Sequence, residues 1–264
     1  MTVRIASWNT WKNDGAYRRR IPAMVKVLKA VQPDALLLQE SFRADTPSES
    51  IDTAALLADA LRMHLAFAPA RTKVRAFEGE YVESVSGHAI LSKNPLESIE
   101  RRELVTTPEG GERIALFART QIRETSLALA CVHFAHRRGD GTISTQQFSS
   151  VMNYLAQFRQ TEDLSLIGGD FNMSADSPDF KNACIPPKFT VQDPFEKQGS
   201  ETPTHPVPAK EGRPGRHIDF LLTLSSESEP TPQVLDRGIA GIEYDATFAT
   251  YPSDHALVWA DFEV

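Results

Sequence analysis

Cysteine is scarce in this chain, and long apolar runs and an excess of basic charge are both missing. Only two cysteines, Cys131 and Cys184, occur among 264 residues, too few for a disulfide framework or a thiolate metal site. We interpret both as core thiols. No apolar run approaches the roughly 20 residues that cross a bilayer, and the first residues do not resemble a signal peptide. The sequence therefore predicts a cytoplasmic protein without membrane insertion.

The charge balance is acidic. Lys and Arg number 28 against 35 Asp and Glu, a formal net charge of −7, so the surface as a whole is not one that attracts polyanions. Short basic runs occur at residues 18–20, 71–75, 101–102 and 137–138. Runs of this length usually form a solvated face of a protein, and this is the default interpretation here.

Apolar periodicity predicts alternating strands and helices. The 41% hydrophobic content supports a sizeable core, and we expect residues 1–264 to form a single domain. An amphipathic helix is expected over residues 17–31 and a charged connection over residues 71–86. Seven prolines between residues 184 and 217 predict a long loop. A sandwich of two sheets with helices on its outer faces is the simplest arrangement.

Polar residues follow the apolar strands at five places. These are Asn9, Glu40, His133, the pair Asp170 and Asn172, and the group Asp219, Asp254 and His255. Any one of them has an ordinary explanation, such as a turn asparagine or a core histidine. Together they supply carboxylate, carboxamide and imidazole groups, which suit a hard divalent cation and a phosphate ester. The sequence predicts a metal-dependent phosphoesterase.

The order of these motifs carries a family resemblance. SWN, LLQE, the strand-end VH, GGDFN, HID and SDH, running from Asn9 to His255, resemble the endonuclease/exonuclease/phosphatase superfamily, which includes deoxyribonuclease I, exonuclease III and neutral sphingomyelinases. The resemblance implies an α/β protein, a four-layer α/β sandwich of two mainly antiparallel mixed β-sheets packed face to face. It also implies metal-assisted attack of water on a phosphodiester, with Mg²⁺ or Mn²⁺ as cofactor.

The resemblance further assigns the metal and its proton-handling partner. It implies that Glu40, Asn9 and Asp254 hold one loosely bound ion, since Mg²⁺ keeps several waters and needs few protein ligands. His255 would act on the attacking water or stabilise the developing charge, and Asp219 would hold the His255 ring.

Phosphate contacts are implied in the same way. Asp170 and Asn172 would position the water and the phosphate, and His133 would donate to a phosphoryl oxygen. Deoxyribonuclease-like enzymes pair this histidine with a glutamate, for which Glu80 and Glu83 are the candidates. The remaining substrate-binding candidates are four residues near these motifs: His88, Arg137, Arg138 and His217.

Three functions stay open at this point. A nuclease acting on DNA or RNA fits the resemblance and the basic segments. A small-molecule phosphatase or phosphodiesterase, acting on a sugar phosphate, nucleotide or lipid headgroup, fits the acidic balance. A catalytically silent binding module would be expected to have lost Glu40, Asp170 or His255, and all three are present. We therefore expect a phosphate-ester substrate, nucleic acid foremost, with no obligate protein partner and a monomeric state.

Overall fold

The structure is a computed structural model that describes residues 1–107, 110–136, 141–196, 202–205 and 215–264. Within these residues the strands are β1 (Thr2–Asn9), β2 (Ala35–Asp45), β3 (Ser50–Asp52), β4 (His64–Phe77), β5 (Glu80–Ser92), β6 (Leu96–Glu103), β7 (Ile114–Ile122), β8 (Thr125–His133), β9 (Leu164–Asp170), β10 (Phe189–Gln192), β11 (Asp219–Ser226), β12 (Val234–Ala240) and β13 (Leu257–Glu263). The helices are α1 (Tyr17–Val31), α2 (Thr53–Leu61), α3 (Thr142–Phe158) and α4 (Pro178–Lys181). None of these helices is long and apolar enough to span a membrane.

Two mixed sheets contain the strands. The first has the order β12-β13-β1-β2-β5-β4, with β3 paired to β2, and the second has the order β10-β11-β9-β8-β7-β6. Only β1–β2 and β8–β9 are parallel pairs among the described strands. Asn9, His133 and Asp170 are the last residues of β1, β8 and β9, and Glu40 lies in the middle of β2. Both sheets therefore contribute polar residues to one edge of the sandwich.

Three apolar layers hold the sheets and helices together. Leu37 and Val258 of the first sheet pack with Leu129 and Leu166 of the second, which fills the space between the sheets. Helices α1 and α2 pack against the outer face of the first sheet, and α3 packs against the outer face of the second sheet. Burying one large apolar side chain contributes roughly 1.5–3 kcal/mol. The four-layer α/β sandwich implied by the sequence is confirmed.

The packed face and the C-terminal end of helix α1 both follow from its sequence. Met24 and Leu28 lie on the face that packs against Trp8 of β1, as the helical spacing predicts. The helix ends where Gln32 adopts the left-handed conformation with φ 54° and donates its N–H to the Leu28 carbonyl. Pro33 follows, and a proline disfavours helical geometry in the residue before it.

Residues 71–86 correct the sequence interpretation, because they form no loop. Strands β4 and β5 pair from His64 to Phe77 as one long hairpin. Its two-residue turn, Glu78-Gly79, has φ values of 51° and 89°, as the type I′ hairpin turn requires. Phe77 beside the turn is buried against Tyr17 and Phe42, which fixes the hairpin to the rest of the first sheet.

Two smaller expectations are also wrong. Cys131 is a buried core thiol, but Cys184 is exposed, because it follows α4 in a segment that packs little of its side chain. The proline-rich region contains a strand, since Phe189–Gln192 pairs with β11 at the edge of the second sheet.

Candidate active site

Three predicted site residues form one row across the second sheet. His133 of β8 pairs in register with Asp170 of β9, and Asp170 pairs in register with Asp219 of β11. Residues paired in this way project to the same face of a sheet. All three side chains are buried. The row is therefore positioned by backbone ladders and not by flexible loops.

A glycine in β9 allows β8 and β9 to approach closely enough to place His133 beside Asp170. A Cβ atom added at Gly169 would lie 1.9 Å from the carbonyl oxygen of Val132, far inside van der Waals contact. Only glycine permits so close a backbone approach. Gly169, directly before Asp170, is thus a packing requirement of the site.

Glu40 reaches the site through a β-bulge. The β2–β5 register shifts between Leu38 and Ser41, so that Gln39 and Glu40 stand opposite His88 alone. Glu40 has a left-handed φ of 56°, a conformation that costs a non-glycine residue roughly 1–2 kcal/mol. A bulge redirects a side chain that regular pairing would place elsewhere. Here it brings the carboxylate towards the row.

The contacts of Glu40 identify the glutamate beside His133. Glu40 Oε2 lies 2.8 Å from Lys12 Nζ, and Glu40 Oε1 lies 3.8 Å from His133 Nδ1. Burial raises the pKa of Glu40, although the Lys12 ammonium opposes that rise. The alternative partners Glu80 and Glu83 are exposed on β5. Glu40 is thus the glutamate on the Nδ1 side of His133, and Asp170 lies 3.4 Å from Nε2 on the other side.

His255 completes the arrangement with two carboxylates. Its Nδ1 lies 2.9 Å from Asp219 Oδ2, and its Nε2 lies 3.6 Å from Asp170 Oδ2. Burial disfavours the charged ring, but the Asp219 and Asp170 charges outweigh it and raise the pKa of His255 to about 10. The ring is therefore an imidazolium at neutral pH, with its proton on Nδ1 held by Asp219.

The segment that carries Asp254 is tied to β1. Ser253 Oγ donates to the Asn9 carbonyl at 2.7 Å and accepts from the His255 N–H at 3.2 Å. Asn9 Nδ2 in turn donates to Asp170 Oδ2 at 3.1 Å. Asp254 keeps about a quarter of its side chain exposed. Asn9 and Asp254 consequently lie at the same edge as the row, one from each end of the sequence.

The donor set fits a divalent cation. Burial raises the pKa of Glu40, and the charges of Asp254 and Asp170 add to that rise, which places the carboxylates of the expected ligands Glu40 and Asp254 near one another. Within the described residues, Asp170, Asp219 and His255 also have atoms within 4.8 Å of one another, as do His205, Asp254 and His255. A protonated His255 ring, however, offers no lone pair to a metal. Burial raises the pKa of Asp170, and the nearby Asp219 carboxylate adds to that rise. Such concentrated, poorly hydrated negative charge is what a bound cation would neutralise.

Three cationic residues of the site were not found from the sequence. Lys12 pairs with Glu40 as described. The guanidinium of Arg113 is buried next to the row, and its Nε has no hydrogen-bond partner among the described residues. Burial lowers the pKa of Arg113, while Asp170 and Glu40 oppose that change. Arg113 precedes β7 in an ordinary GER sequence, and no pattern marked it.

Arg20 is the third, and it corrects the interpretation of residues 18–20 as a solvated face. Its side chain is fully buried and donates to five carbonyl oxygens, those of Thr10, Trp11, Lys12, Asp14 and Pro252. The guanidinium thereby joins the segment after β1 to the segment before Asp254. Arg20 is a positioning residue for both.

His205 is a histidine that the sequence left without a role. Its ring centroid lies 4.4 Å from that of His255, and its Nε2 lies 3.8 Å from Asp254 Oδ2. The adjacent Thr204 accepts the backbone N–H groups of Ile218 and Asp219 through its hydroxyl. The 202–205 segment is thus part of the site wall.

The four substrate-binding candidates are distributed differently. His88 lines the cavity beside Glu40, donates from Nε2 to the Ile114 carbonyl, and is neutral because burial lowers its pKa to about 4. His217 packs against Phe195 and Phe220 away from that cavity. Arg137 and Arg138 lie outside the described residues.

Comparisons with known proteins agree with this geometry. The family model described as the endonuclease/exonuclease/phosphatase family matches residues 6–255. A protein of that description from Beutenbergia cavernae shares the fold with a TM-score of 0.73 and 20% identity over 100% of this chain and 72% of its own. No curated protein sequence matches the chain.

Two further solved structures share the fold. Danio rerio TDP2 complexed with single strand DNA product has a TM-score of 0.72 and 18% identity, covering 100% of this chain and 99% of its own. The human nocturnin catalytic domain with bound sulfate anion has a TM-score of 0.69 and 16% identity, covering 99% and 94%. Together with the family match, the site geometry establishes that this chain belongs to the endonuclease/exonuclease/phosphatase family, whose members are metal-dependent hydrolases of phosphate ester bonds.

Proposed function

We propose that this protein hydrolyses phosphodiester bonds of nucleic acid with a divalent cation, Mg²⁺ or Mn²⁺, held by Glu40, Asp254 and Asn9. One observation carries the proposal: His133, Asp170 and Asp219 lie in register across three strands, with His255 bonded to Asp219 beside them. When bound, the cation would supply several kcal/mol of charge stabilisation at a phosphoryl oxygen.

The protein residues have separate roles in this proposal. The His255 imidazolium stabilises the negative charge that develops on the phosphate, and Asp219 fixes its ring and its proton. Asp170, whose pKa is raised by burial, positions the attacking water and accepts its proton. Asn172 is held in place by donating from Nδ2 to the Phe134 carbonyl.

His133 acts as a neutral donor. Burial holds the pKa of His133 well below its usual range, and the Arg113 charge lowers it further. A neutral imidazole has one N–H, and its Nε2 lacks a hydrogen-bond partner among the described residues. Asp170 Oδ2 lies 3.4 Å from this nitrogen, and we assign its N–H to a phosphoryl oxygen of the bound substrate, with Arg113 as a second contact to the same phosphate.

Nucleic acid is favoured over a small ester by the cations beside the site, where Lys12, Arg71, Lys73, Arg75 and Arg113 line a single cavity. The DNA product in the TDP2 structure named above supports the same choice. A small phosphate ester is the second candidate, because the cavity volume of about 550 Å³ also suits a small ligand. The single domain over residues 1–264, the monomeric state and the cytoplasmic location stay predictions.

The proposal is tested with labelled single-stranded DNA and RNA oligonucleotides and supercoiled plasmid, incubated with Mg²⁺ or Mn²⁺. Cleavage that EDTA and His255→Ala both abolish is the expected result. Cleavage that persists in folded His255→Ala protein would overturn the mechanism. Hydrolysis of bis(4-nitrophenyl) phosphate without cleavage of any nucleic acid would replace this function with the small-ester alternative.

A further inference from the structure

The β4–β5 hairpin forms one wall of the cavity next to Glu40 and His133. Arg71, Lys73 and Arg75 of β4 line this cavity together with Ser86 of β5. From the sequence, this basic segment has a solvated face as its default interpretation and also counts in favour of a nuclease. Their position beside the row gives them a defined relation to the reacting phosphate.

The three cations share one face of the hairpin because they occupy alternate positions of β4. Successive side chains on one face of a strand are about 6.8 Å apart. Their cross-strand partners are Ser86, Ser84 and Val82. The hairpin thus presents three basic side chains on one face, and the Arg75 guanidinium bends back towards Ser84 and Ser86, the partners of Lys73 and Arg71.

The bonding of the three differs in a way that leaves charge available. Arg75 is held by the hydroxyls of Ser84 and Ser86, at 2.7 and 3.0 Å from its two Nη atoms. Arg71 makes a half-exposed ion pair with Glu112 at 3.3 Å. No ion pair of Lys73 occurs among the described residues, and its side chain is exposed. Two cations are oriented, and the one between them is free.

This charge is a local feature in an acidic protein. The chain carries a net charge of −7, yet the described lining of the cavity has five Lys and Arg side chains against three carboxylates. Like charges repel one another, so an excess of cations on one surface is destabilising until an anionic ligand neutralises it. The arrangement therefore favours an anionic ligand with several charges in line.

We propose that the inner face of the β4–β5 hairpin binds successive backbone phosphates of a single-stranded polynucleotide whose scissile bond lies at the row. The inference rests on the proposed function and names its substrate form. The backbone positions of these residues repeat about every 6.8 Å along β4, a spacing comparable to that of neighbouring phosphates in an extended strand. Their side chains line a concavity of about 550 Å³ next to Glu40 and His133.

The test measures binding by His255→Ala protein, which holds substrate without turnover, to a fluorescent single-stranded oligonucleotide over a range of salt concentrations. For a single strand, removing one cation that binds a phosphate lowers the slope of log affinity against log salt by about 0.7. We expect this decrease for Lys73→Gln and again for Arg71→Gln. Lys29→Gln is the matched control, since Lys29 is exposed on α1, and its slope should not change.

Two results would overturn the inference. One is a salt slope that neither hairpin substitution alters. The other is a duplex of the same sequence that binds as tightly as the single strand, with the same decrease in salt slope for the hairpin substitutions. Wild-type activity towards the oligonucleotide and bis(4-nitrophenyl) phosphate keeps the failures distinct, because the latter diester has no neighbouring phosphates. Metal-dependent cleavage of the oligonucleotide by wild-type protein, combined with an unaltered slope, rejects the hairpin as a phosphate-binding surface and retains the proposed function, whereas hydrolysis of bis(4-nitrophenyl) phosphate alone rejects both.

Discussion

The two walls of the cleft differ in how their functional groups are held. The row of His133, Asp170 and Asp219 is buried and paired in register. Its two carboxylates accept hydrogen bonds from Asn9 and His255. Lys73 and Arg71 on the hairpin are exposed. Arg71 pairs with Glu112, and Lys73 has no ion pair among the described residues. Charge interactions are strong and weakly screened in a buried site, but weak and salt-dependent at the surface. The comparison suggests that reactivity is set at the row and substrate retention at the hairpin.

The sharpest test of this division is the response of each wall to salt. We expect His255→Ala to lower the cleavage rate by about 10³-fold, since it removes a preorganised positive charge from the site. The loss should be the same at low and high salt. His64→Ala is the control, because His64 is exposed at the start of β4. A loss that vanishes at low salt would mean that His255 acts through binding and would break the comparison.

Arg20→Met tests the element that joins the segments on either side of the site. Removing this buried guanidinium leaves five carbonyls without their donor, and we expect the free energy of unfolding to fall by about 3 kcal/mol. Chemical denaturation measures this loss. Arg19→Met provides the matched control, because Arg19 is exposed and its replacement should change stability little. Equal effects of the two substitutions would contradict the positioning role.

Asp219→Asn tests the electrostatics of the row in protein freed of metal by EDTA. The pKa of His255 rises from 6.5 to about 10, so its ion pair stabilises the fold fully below pH 6.5 and loses that effect as pH rises to about 10. The variant should be less stable by roughly 2 kcal/mol at the acidic end and approach wild type at the alkaline end.

Urea unfolding at both ends of that pH range measures the difference. Asp59→Asn, an exposed change on α2, controls for the loss of one negative charge. A destabilisation by Asp219→Asn that grows with pH has the wrong sign and would refute the charged His255 ring.

Glu40→Gln has the smallest expected effect and bears on metal binding. Replacing the bulge carboxylate should weaken Mn²⁺ affinity at least about tenfold, as measured by isothermal titration calorimetry. Glu97→Gln, an exposed change on β6, should leave the affinity unaltered. Unchanged affinity in Glu40→Gln would remove Glu40 from the proposed ligands while leaving the row intact.

The order of motifs allowed the fold and the reaction class to be predicted, because strand-end polar residues are read directly from apolar runs. The placement of Glu40 could not be predicted in this way, since its bulge exists only in the pairing of β2 with β5. The burial of Arg20 depends partly on the carbonyl of Pro252, which is 232 positions away. The hairpin was missed because Lys and Arg in alternation resemble a charged loop when the opposite strand is not considered.

The residues of the site come together only through contacts between distant parts of the chain. Trp8 Nε1 donates a hydrogen bond to the His255 carbonyl, 247 positions away in the sequence, and Asn9 Nδ2 donates one to Asp170 Oδ2, 161 positions away. Closing such long loops is slow and comes late in folding. Hydrolytic competence should therefore arise only once both sheets have assembled, so that partly folded chains cleave no phosphate esters.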